Sequence, residues 1–224
     1  MNFLAHAVFA DGPDEVLLGS LVGDFFKRPD ISQFPEAFIT GLEVHKELDR
    51  HFDSSYPSVT SNESLFSLIR HYSAPVIDVC SDHILANRWK DIFDSKIGDF
   101  VGIVYEIVGT HRSYIPPDRQ RVISRMTEQD WLGQMSSMDG LESALMRLSR
   151  SSHRADVVRE HIPAILELVP SMEEGVLSAL PLIRTHMCDY MQDTLLLDSV
   201  RRLSWRDEIC VSNEFEGRPQ YKER

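Results

Sequence analysis

The stretch PEAFITGLEVHKELDRHF, residues 35–52, sets the fold that this chain is expected to adopt. Along it, three large apolar residues and two polar ones recur at spacings of four, three, four and three: Phe38, Leu42, His45, Asp49 and Phe52. This spacing places side chains along one face of an α-helix. The apolar members predict that the face is buried, so His45 and Asp49 are predicted to point toward the interior.

Two other segments place polar side chains among inward-facing apolar ones. In residues 75–89, Asp78 and Asp82 fall in line with large apolar residues at helical spacing. Asp24 extends a similar row near the N-terminus, and His6 lies in the short apolar segment that starts the chain. Burying an unpaired carboxylate costs several kcal/mol, so such residues persist only with a partner, a bound proton or a bound cation.

The helical periodicity continues along most of the chain. Apolar residues spaced three and four apart dominate from Pro13 to about Asp198, whereas strand signals are scarce. We therefore predict an all-α fold, with a single-domain helical bundle over residues 1–203 and a polar, peripheral C-terminal tail over residues 204–224. Residues 171–174, SMEE, match a capping box and predict that a helix begins there.

Length and composition limit the class of protein. With 224 residues, of which 42% are hydrophobic, the chain can bury one sizeable core. Its net charge of −12 argues against nucleic-acid binding, because phosphate contacts need a basic surface. The sequence leaves the oligomeric state open.

Cysteine usage and the N-terminus favour a cytoplasmic location. The three cysteines are far apart and form neither a disulfide framework nor a thiolate zinc motif: Cys80, Cys188 and Cys210. No basic residue precedes the apolar N-terminal run, so no signal peptide is predicted. No run approaches the roughly 20 apolar residues that cross a bilayer, and we expect no membrane association.

The inward polar residues indicate a metal site. His45 and Asp49 are four residues apart, as are Asp78 and Asp82, so each pair is adjacent on a helix surface. Two carboxylates about 6 Å apart on a desolvated face repel each other, and a divalent cation is the simplest remedy. The alternative for the two aspartates is pairing with a basic side chain, without any metal: Arg70, Arg88 or His83.

The residue types indicate which chemistry such a site performs. Carboxylate and imidazole donors favour Mn²⁺ or Mg²⁺, and they also suit Fe²⁺ or Zn²⁺. An ion of this kind lowers the pKa of a bound water and polarises a phosphoryl oxygen, which predicts hydrolysis of a phosphate ester. Lys46 and Arg50 flank the predicted site and could bind an anionic substrate, although a solvated helix face explains them equally well. Neither a GxSxG motif nor a reactive cysteine motif occurs in the sequence.

Several motifs resemble those of the acyl carrier protein phosphodiesterase family. They are MNFLAH at 1–6, GSLVGDF at 19–25, GLEVH at 41–45 followed by Asp49 and Asp53, and DVCSDH at 78–83 followed by Trp89. DWL at 130–132 and MDGL at 138–141 are also similar, and the resemblance covers about residues 1–190.

The resemblance implies an all-helical variant of the HD-type metal-dependent phosphohydrolases. Such an enzyme uses Mn²⁺ or a similar ion to hydrolyse the phosphodiester that joins 4′-phosphopantetheine to the serine of holo acyl carrier protein. Carried over to this sequence, the metal ligands are expected among Asp24, His45, Asp78 and Asp82. The catalytic or supporting residues are expected to be His6, Asp49 and His83, with Lys46 and Arg50 binding substrate.

The acidity of acyl carrier protein adds a requirement and leaves alternatives. A chain with a net charge of −12 needs a local basic patch to bind it, for which the predicted residues are Lys27, Arg28, Lys46, Arg50 and Arg88. One alternative is a metal-dependent phosphodiesterase that acts on a nucleotide or another small diester. Another is a non-catalytic helical binding protein whose inward carboxylates are neutralised by arginines.

Overall fold

The structure, a computed structural model, describes residues 2–10, 12–26, 31–55, 63–195 and 203–206. Throughout these ranges the regular secondary structure is helical, without a strand, which confirms the predicted all-α fold. The helices are α1 (Phe3–Phe9), α2 (Asp14–Leu21), α3 (Glu36–Ser55), α4 (Glu63–Ile69), α5 (Ser73–Asn87), α6 (Trp89–Ile92), α7 (Ile97–Thr110), α8 (Gln120–Glu128), α9 (Trp131–Gln134), α10 (Met138–Ser149), α11 (Asp156–Glu160) and α12 (Ile162–Leu195). None of the described helices combines the length and the apolar composition that crossing a bilayer would require.

Helix α3 buries the face that its spacing predicts. Phe38 and Phe52 have no exposed surface, Leu42 is 3% exposed, and His45 between them is 6% exposed. Burying such large apolar side chains is the main favourable term for this helix, since each contributes about 1.5–3 kcal/mol. The burial also carries the polar His45 into the interior.

Helices α2 and α3 pack with their backbones in contact at Gly19 and Gly41. A Cβ atom on Gly19 would lie 2.8 Å from the Cα of Gly41, and one on Gly41 would lie 2.3 Å from the carbonyl oxygen of Val16. Neither position therefore accepts a side chain without moving a helix. Four residues further along the chain from each glycine, Gly23 in the turn after α2 lies against the ring of His45 on α3.

The longest helix, α12, packs against α3 and α5 and corrects one sequence prediction. Residues 171–174 do not begin a helix, because they lie inside α12, where the Ser171 hydroxyl donates to the Leu168 carbonyl at 2.6 Å. A buried row spaced four, three, four, three and four runs through this point: Ile165, Val169, Met172, Val176, Ala179 and Ile183. Burial of that continuous row outweighs the local capping preference.

The first residues of the predicted tail attach to the bundle. The Trp205 ring lies 4.7 Å from the ring of Phe93 and 5.7 Å from that of Phe9, measured between centroids. The backbone amide of Arg206 donates to the Ile92 carbonyl at 2.9 Å. Residues 207–224 lie outside the described part of the chain.

Candidate metal centre

Three predicted site residues from two helices converge: His6 on α1, and His45 and Asp49 on α3. One ligand atom from each lies within 4.8 Å of the other two. Each oxygen of the Asp49 carboxylate faces one imidazole, with Oδ1 3.2 Å from His6 Nε2 and Oδ2 3.4 Å from His45 Nε2. We call these three residues the His–His–Asp cluster.

The cluster is dry on its imidazole side and open on its carboxylate side. The rings of His6 and His45 stack with centroids 3.9 Å apart and planes inclined by 19°. Both histidines are buried, whereas the Asp49 side chain is 38% exposed. A ligand can therefore approach from the side of Asp49.

Asp24 adds a second carboxylate at the open edge. It lies in the 3₁₀ turn Gly23–Phe25, with Oδ1 3.7 Å from His45 Nε2, and its side chain is 80% exposed. This turn reaches the cluster because Gly23 has no side chain: a Cβ atom there would lie 2.3 Å from Cγ of His45. Sequence periodicity predicted Asp24 in an inward helical row, but α2 ends at Leu21 and the residue lies on the turn that follows.

Backbone contacts fix the orientation of the His45 ring. Its Nδ1 lies 2.7 Å from the Ser20 carbonyl oxygen, and a carbonyl only accepts, so Nδ1 carries the hydrogen. The neutral ring therefore directs an unprotonated Nε2 toward the carboxylates. The Ser20 hydroxyl donates to the His6 carbonyl at 3.2 Å, which joins α2 to α1 beside the cluster. Ser20 and Gly23 were not predicted as site residues.

The carboxylates determine the charge that the cluster prefers. Burial lowers the pKa of His6 to about 4, so this imidazole is neutral at neutral pH. Burial also acts to lower the pKa of His45, but the neighbouring carboxylates of Asp24 and Asp49 outweigh it and raise the pKa. For Asp49, burial acts to raise the pKa, but the hydrogen bond from His6 and nearby positive charges, among them that of His45, outweigh it and lower the pKa. The cluster thus favours a positive charge on His45, beside a neutral His6 and an ionised Asp49.

Asp82, predicted as a metal ligand, bonds to the start of α1. Its Oδ2 accepts from the Leu4 amide at 2.8 Å and its Oδ1 from the Ala5 amide at 3.0 Å. Asn2, at the N-cap position, makes no side-chain capping bond, so Asp82 satisfies these helix-end amides from another helix. Burial raises the pKa of Asp82 to about 7, against the effect of the two amide bonds. This contact holds the α1 turn that carries His6.

Asp78 and His83 also lie on α5, but they have different surroundings. Asp78 is half-buried, and burial raises its pKa. His83 is buried, its Nδ1 donates to the Met135 carbonyl at 2.7 Å, and burial lowers its pKa. Among the described residues, Asp78, Asp82 and His83 are not members of the group whose ligand atoms meet within 4.8 Å.

The predicted substrate-binding cations lie on the outer side of α3. Lys46 and Arg50 are exposed, and Arg50 forms an ion pair with Glu47. Arg88 is paired with Glu173 and Asp91, so its charge is locally balanced. Lys27 and Arg28 lie outside the described residues.

Comparison with known proteins identifies the family. Residues 1–183 match the family described as acyl carrier protein phosphodiesterase. Proteins of that name from Salmonella heidelberg and Salmonella schwarzengrund are each 28% identical over 162 residues, covering 71% of this chain and 83% of the relative. The one from Salmonella paratyphi A is 27% identical over 161 residues, with the same coverage. No solved structure gives a significant match. Because the family match spans residues 1–183 of the 224, the chain belongs to the acyl carrier protein phosphodiesterase family, as its motifs predicted.

Proposed function

We propose that this protein hydrolyses the phosphodiester that joins 4′-phosphopantetheine to the serine of holo acyl carrier protein. The products are 4′-phosphopantetheine and the apo carrier. The observation that carries the proposal is the His–His–Asp cluster, in which two buried imidazoles and one half-exposed carboxylate meet within 4.8 Å in a chain of this family. The name that these relatives share supports both the carrier and the diester.

The cluster fits a divalent cation. A cation would take the place of the hydrogens that His6 Nε2 and His45 Nε2 direct at the carboxylates: His45 would lose one proton, and His6 would carry its hydrogen on Nδ1. Two imidazoles with one carboxylate suit Mn²⁺ or Fe²⁺ better than Mg²⁺, which prefers oxygen donors. When bound, such an ion polarises a phosphoryl oxygen and lowers the pKa of water. The same carboxylates that raise the pKa of His45 favour a cation in place of its proton.

The chain's own groups orient the reaction. Asp24 Oδ1 lies at the exposed edge, and the neighbouring His45 imidazole lowers the pKa of Asp24, so Asp24 is ionised and can accept a hydrogen bond from the attacking water. Asp82 positions His6 through α1. We propose that His83 positions the Met135 segment through its carbonyl bond.

Carrier recognition is assigned to the exposed cations of α3. Lys46 and Arg50 lie on the same helix as His45 and Asp49, and both side chains reach solvent. Acyl carrier protein is acidic, so contacts with these two residues would offset the repulsion from a net charge of −12. This contribution should weaken as ionic strength rises.

Two finer features belong to the same proposal. The bundle is a variant of the HD-type phosphohydrolase fold, because it likewise collects histidine and aspartate donors from separate helices. We place the protein in the cytoplasm, because Cys80 and Cys188 in the described part of the chain are free thiols. A reducing compartment maintains thiols in that state.

Mass spectrometry of the carrier tests the proposal. Purified protein is incubated with holo acyl carrier protein and Mn²⁺, Mg²⁺ or Fe²⁺ in turn. We expect the carrier mass to fall by one 4′-phosphopantetheine group with at least one of these ions. An unchanged carrier mass with all three ions would reject this substrate, and hydrolysis of nucleotide or other small diesters in parallel reactions would favour a different diester. Protein that neither binds a divalent ion nor hydrolyses any diester would favour a non-catalytic binding role.

A further inference from the structure

We propose that a pocket beside the His–His–Asp cluster binds the pantetheine arm of the substrate, an inference that rests on the proposed function. The pocket has a volume of about 150 Å³ and lies between the start of α1 and helices α5, α9 and α10. That space suits the part of the arm next to the phosphate rather than its whole length.

The pocket begins one helical turn from the cluster. Asn2 and Phe3 line it, and His6 follows them by four and three residues, which is about 5 Å along the axis of α1. Residues at these spacings lie on one side of a helix. The Phe3 ring also contacts that of Phe25, at 6.3 Å between centroids, and Phe25 is the neighbour of Asp24 in the 3₁₀ turn. In this proposal, a ligand with its phosphate at the cluster extends along Phe3 into the pocket.

The lining matches the chemistry of the arm, which carries methyl and methylene groups, a hydroxyl, two neutral amides and a terminal thiol. Trp131, Met135 and Ala144 contribute apolar wall, and Asn2 and Arg147 contribute groups that hydrogen-bond amides. The Arg147 guanidinium lies 4.3 Å above the centre of the Trp131 ring. This cation–π contact keeps the guanidinium at the pocket wall.

The charges of the lining favour a neutral ligand. Asp82 and Arg147 both border the pocket, so its wall carries no excess of positive charge to attract a phosphate. The oxygens of Asp82 already accept from the amides of Leu4 and Ala5. We therefore assign the phosphate to the cluster and the uncharged arm to the pocket.

Hydrogen bonds hold the α9 wall in place. His83 donates to the Met135 carbonyl at 2.7 Å, and the Tyr105 hydroxyl accepts from the Leu132 amide at 3.0 Å. Tyr105 in turn donates to Asp130 at 3.1 Å. A wall fixed at both ends of α9 gives a preformed site, which reduces the cost of ordering it on binding.

Filling the pocket tests this assignment. Ala144 is 7% exposed and lines the pocket, so Ala144→Leu fills it, whereas Ser143→Leu adds the same bulk on the exposed side of α10. We expect Ala144→Leu to raise KM for holo carrier about tenfold or more, the equivalent of losing several arm contacts. The rate of Ala144→Leu with bis(4-nitrophenyl) phosphate, a diester without the arm, should stay within about twofold of wild type. Ser143→Leu should change neither KM for the holo carrier nor the rate with the small diester.

Arg147→Met provides a second variant in case Ala144→Leu does not fold. It keeps the length of the side chain and removes its donors, and we expect the same selective rise in KM for holo carrier. Saturation-transfer NMR with pantetheine and metal-free protein gives a readout independent of hydrolysis. Binding should occur in wild type and Ser143→Leu and weaken in both pocket variants.

The outcomes separate this inference from the proposed function. Pocket variants that match Ser143→Leu, or that lose activity equally on the carrier and the small diester, would overturn the pocket assignment and leave the carrier activity standing. Wild-type protein that leaves the carrier intact would contradict the proposed function, and pantetheine binding would then decide the pocket: selective loss in the pocket variants supports it, and no binding in wild type overturns it.

Discussion

Asp49 is the residue on which the cluster depends, because its two oxygens face the two imidazoles at 3.2 and 3.4 Å. Asp49→Asn keeps the shape of the side chain and removes the charge. We expect the affinity for Mn²⁺ to fall by about tenfold or more, since loss of a supporting group already costs this much at metal sites. Electron paramagnetic resonance of free Mn²⁺ measures the affinity, with Asp53→Asn, an exposed site one turn further on α3, as control. Equal affinities in the two variants would remove Asp49 from the site.

His6 makes the stability of the metal-free protein depend on pH. Its pKa is about 4 when folded and near 6.5 when unfolded, so between these values the unfolded chain binds more protons. The contribution of neutral His6 is complete above pH 6.5 and is lost as the pH falls through 4. The loss approaches about 3 kcal/mol. Urea unfolding at pH 7 and about pH 4.5 should show a smaller loss for His6→Gln than for wild type; equal losses would show that His6 does not cause the dependence.

At the scale of the element, Asp82 joins α5 to α1. Asp82→Asn retains one acceptor for the amides of Leu4 and Ala5 and exchanges the other for a donor, so one amide loses its partner. We expect a loss of about 1–3 kcal/mol in unfolding free energy. Mn²⁺ affinity should change less than in Asp49→Asn, because Asp82 acts through the position of His6. An affinity loss as large as that of Asp49→Asn would instead support Asp82 as a ligand.

The glycine contact between α2 and α3 determines whether Gly23 and Asp24 reach His45. In Gly41→Ala the new Cβ would lie 2.3 Å from the Val16 carbonyl, so the helices must separate. We expect a loss of about 1–3 kcal/mol, as for other overpacked sites, and weaker Mn²⁺ binding. Gly102→Ala on α7, where a Cβ meets nothing within 4 Å, should instead stabilise the protein by up to about 1 kcal/mol. Thermal melting compares the two, and a Gly41→Ala variant as stable as wild type would refute the close packing.

Sequence periodicity predicts which side chains share a buried face of one helix. It does not predict the contacts that join two helices. The row on α3 was predicted because His45 and Asp49 share a face with buried apolar residues of the same helix. Asp82 also proved inward-facing, but its partners are backbone amides of α1, which carry no signal in residue type. The equal spacing of Gly19 to Gly23 and of Gly41 to His45 was the signal that could have located the turn carrying Asp24.

At the scale of the whole molecule, chain segments far apart in sequence enclose the site. The family match covers residues 1–183, and Trp205 lies beyond it, yet the Trp205 ring packs on Phe9 of the helix that carries His6. Composition placed Trp205 in a peripheral tail because the polar residues around it dominate the local average. A single large aromatic side chain is enough to attach a polar segment to a core.

The central claim is that a divalent cation binds between His6, His45 and Asp49, and anomalous diffraction from a crystal soaked in Mn²⁺ tests it most directly. We predict an anomalous peak within bonding distance of His6 Nε2, His45 Nε2 and an Asp49 oxygen, and no such peak for Asp49→Asn. A peak at Asp78 and Asp82 instead, or an ordered His–His–Asp cluster without a peak at saturating Mn²⁺, would contradict the account.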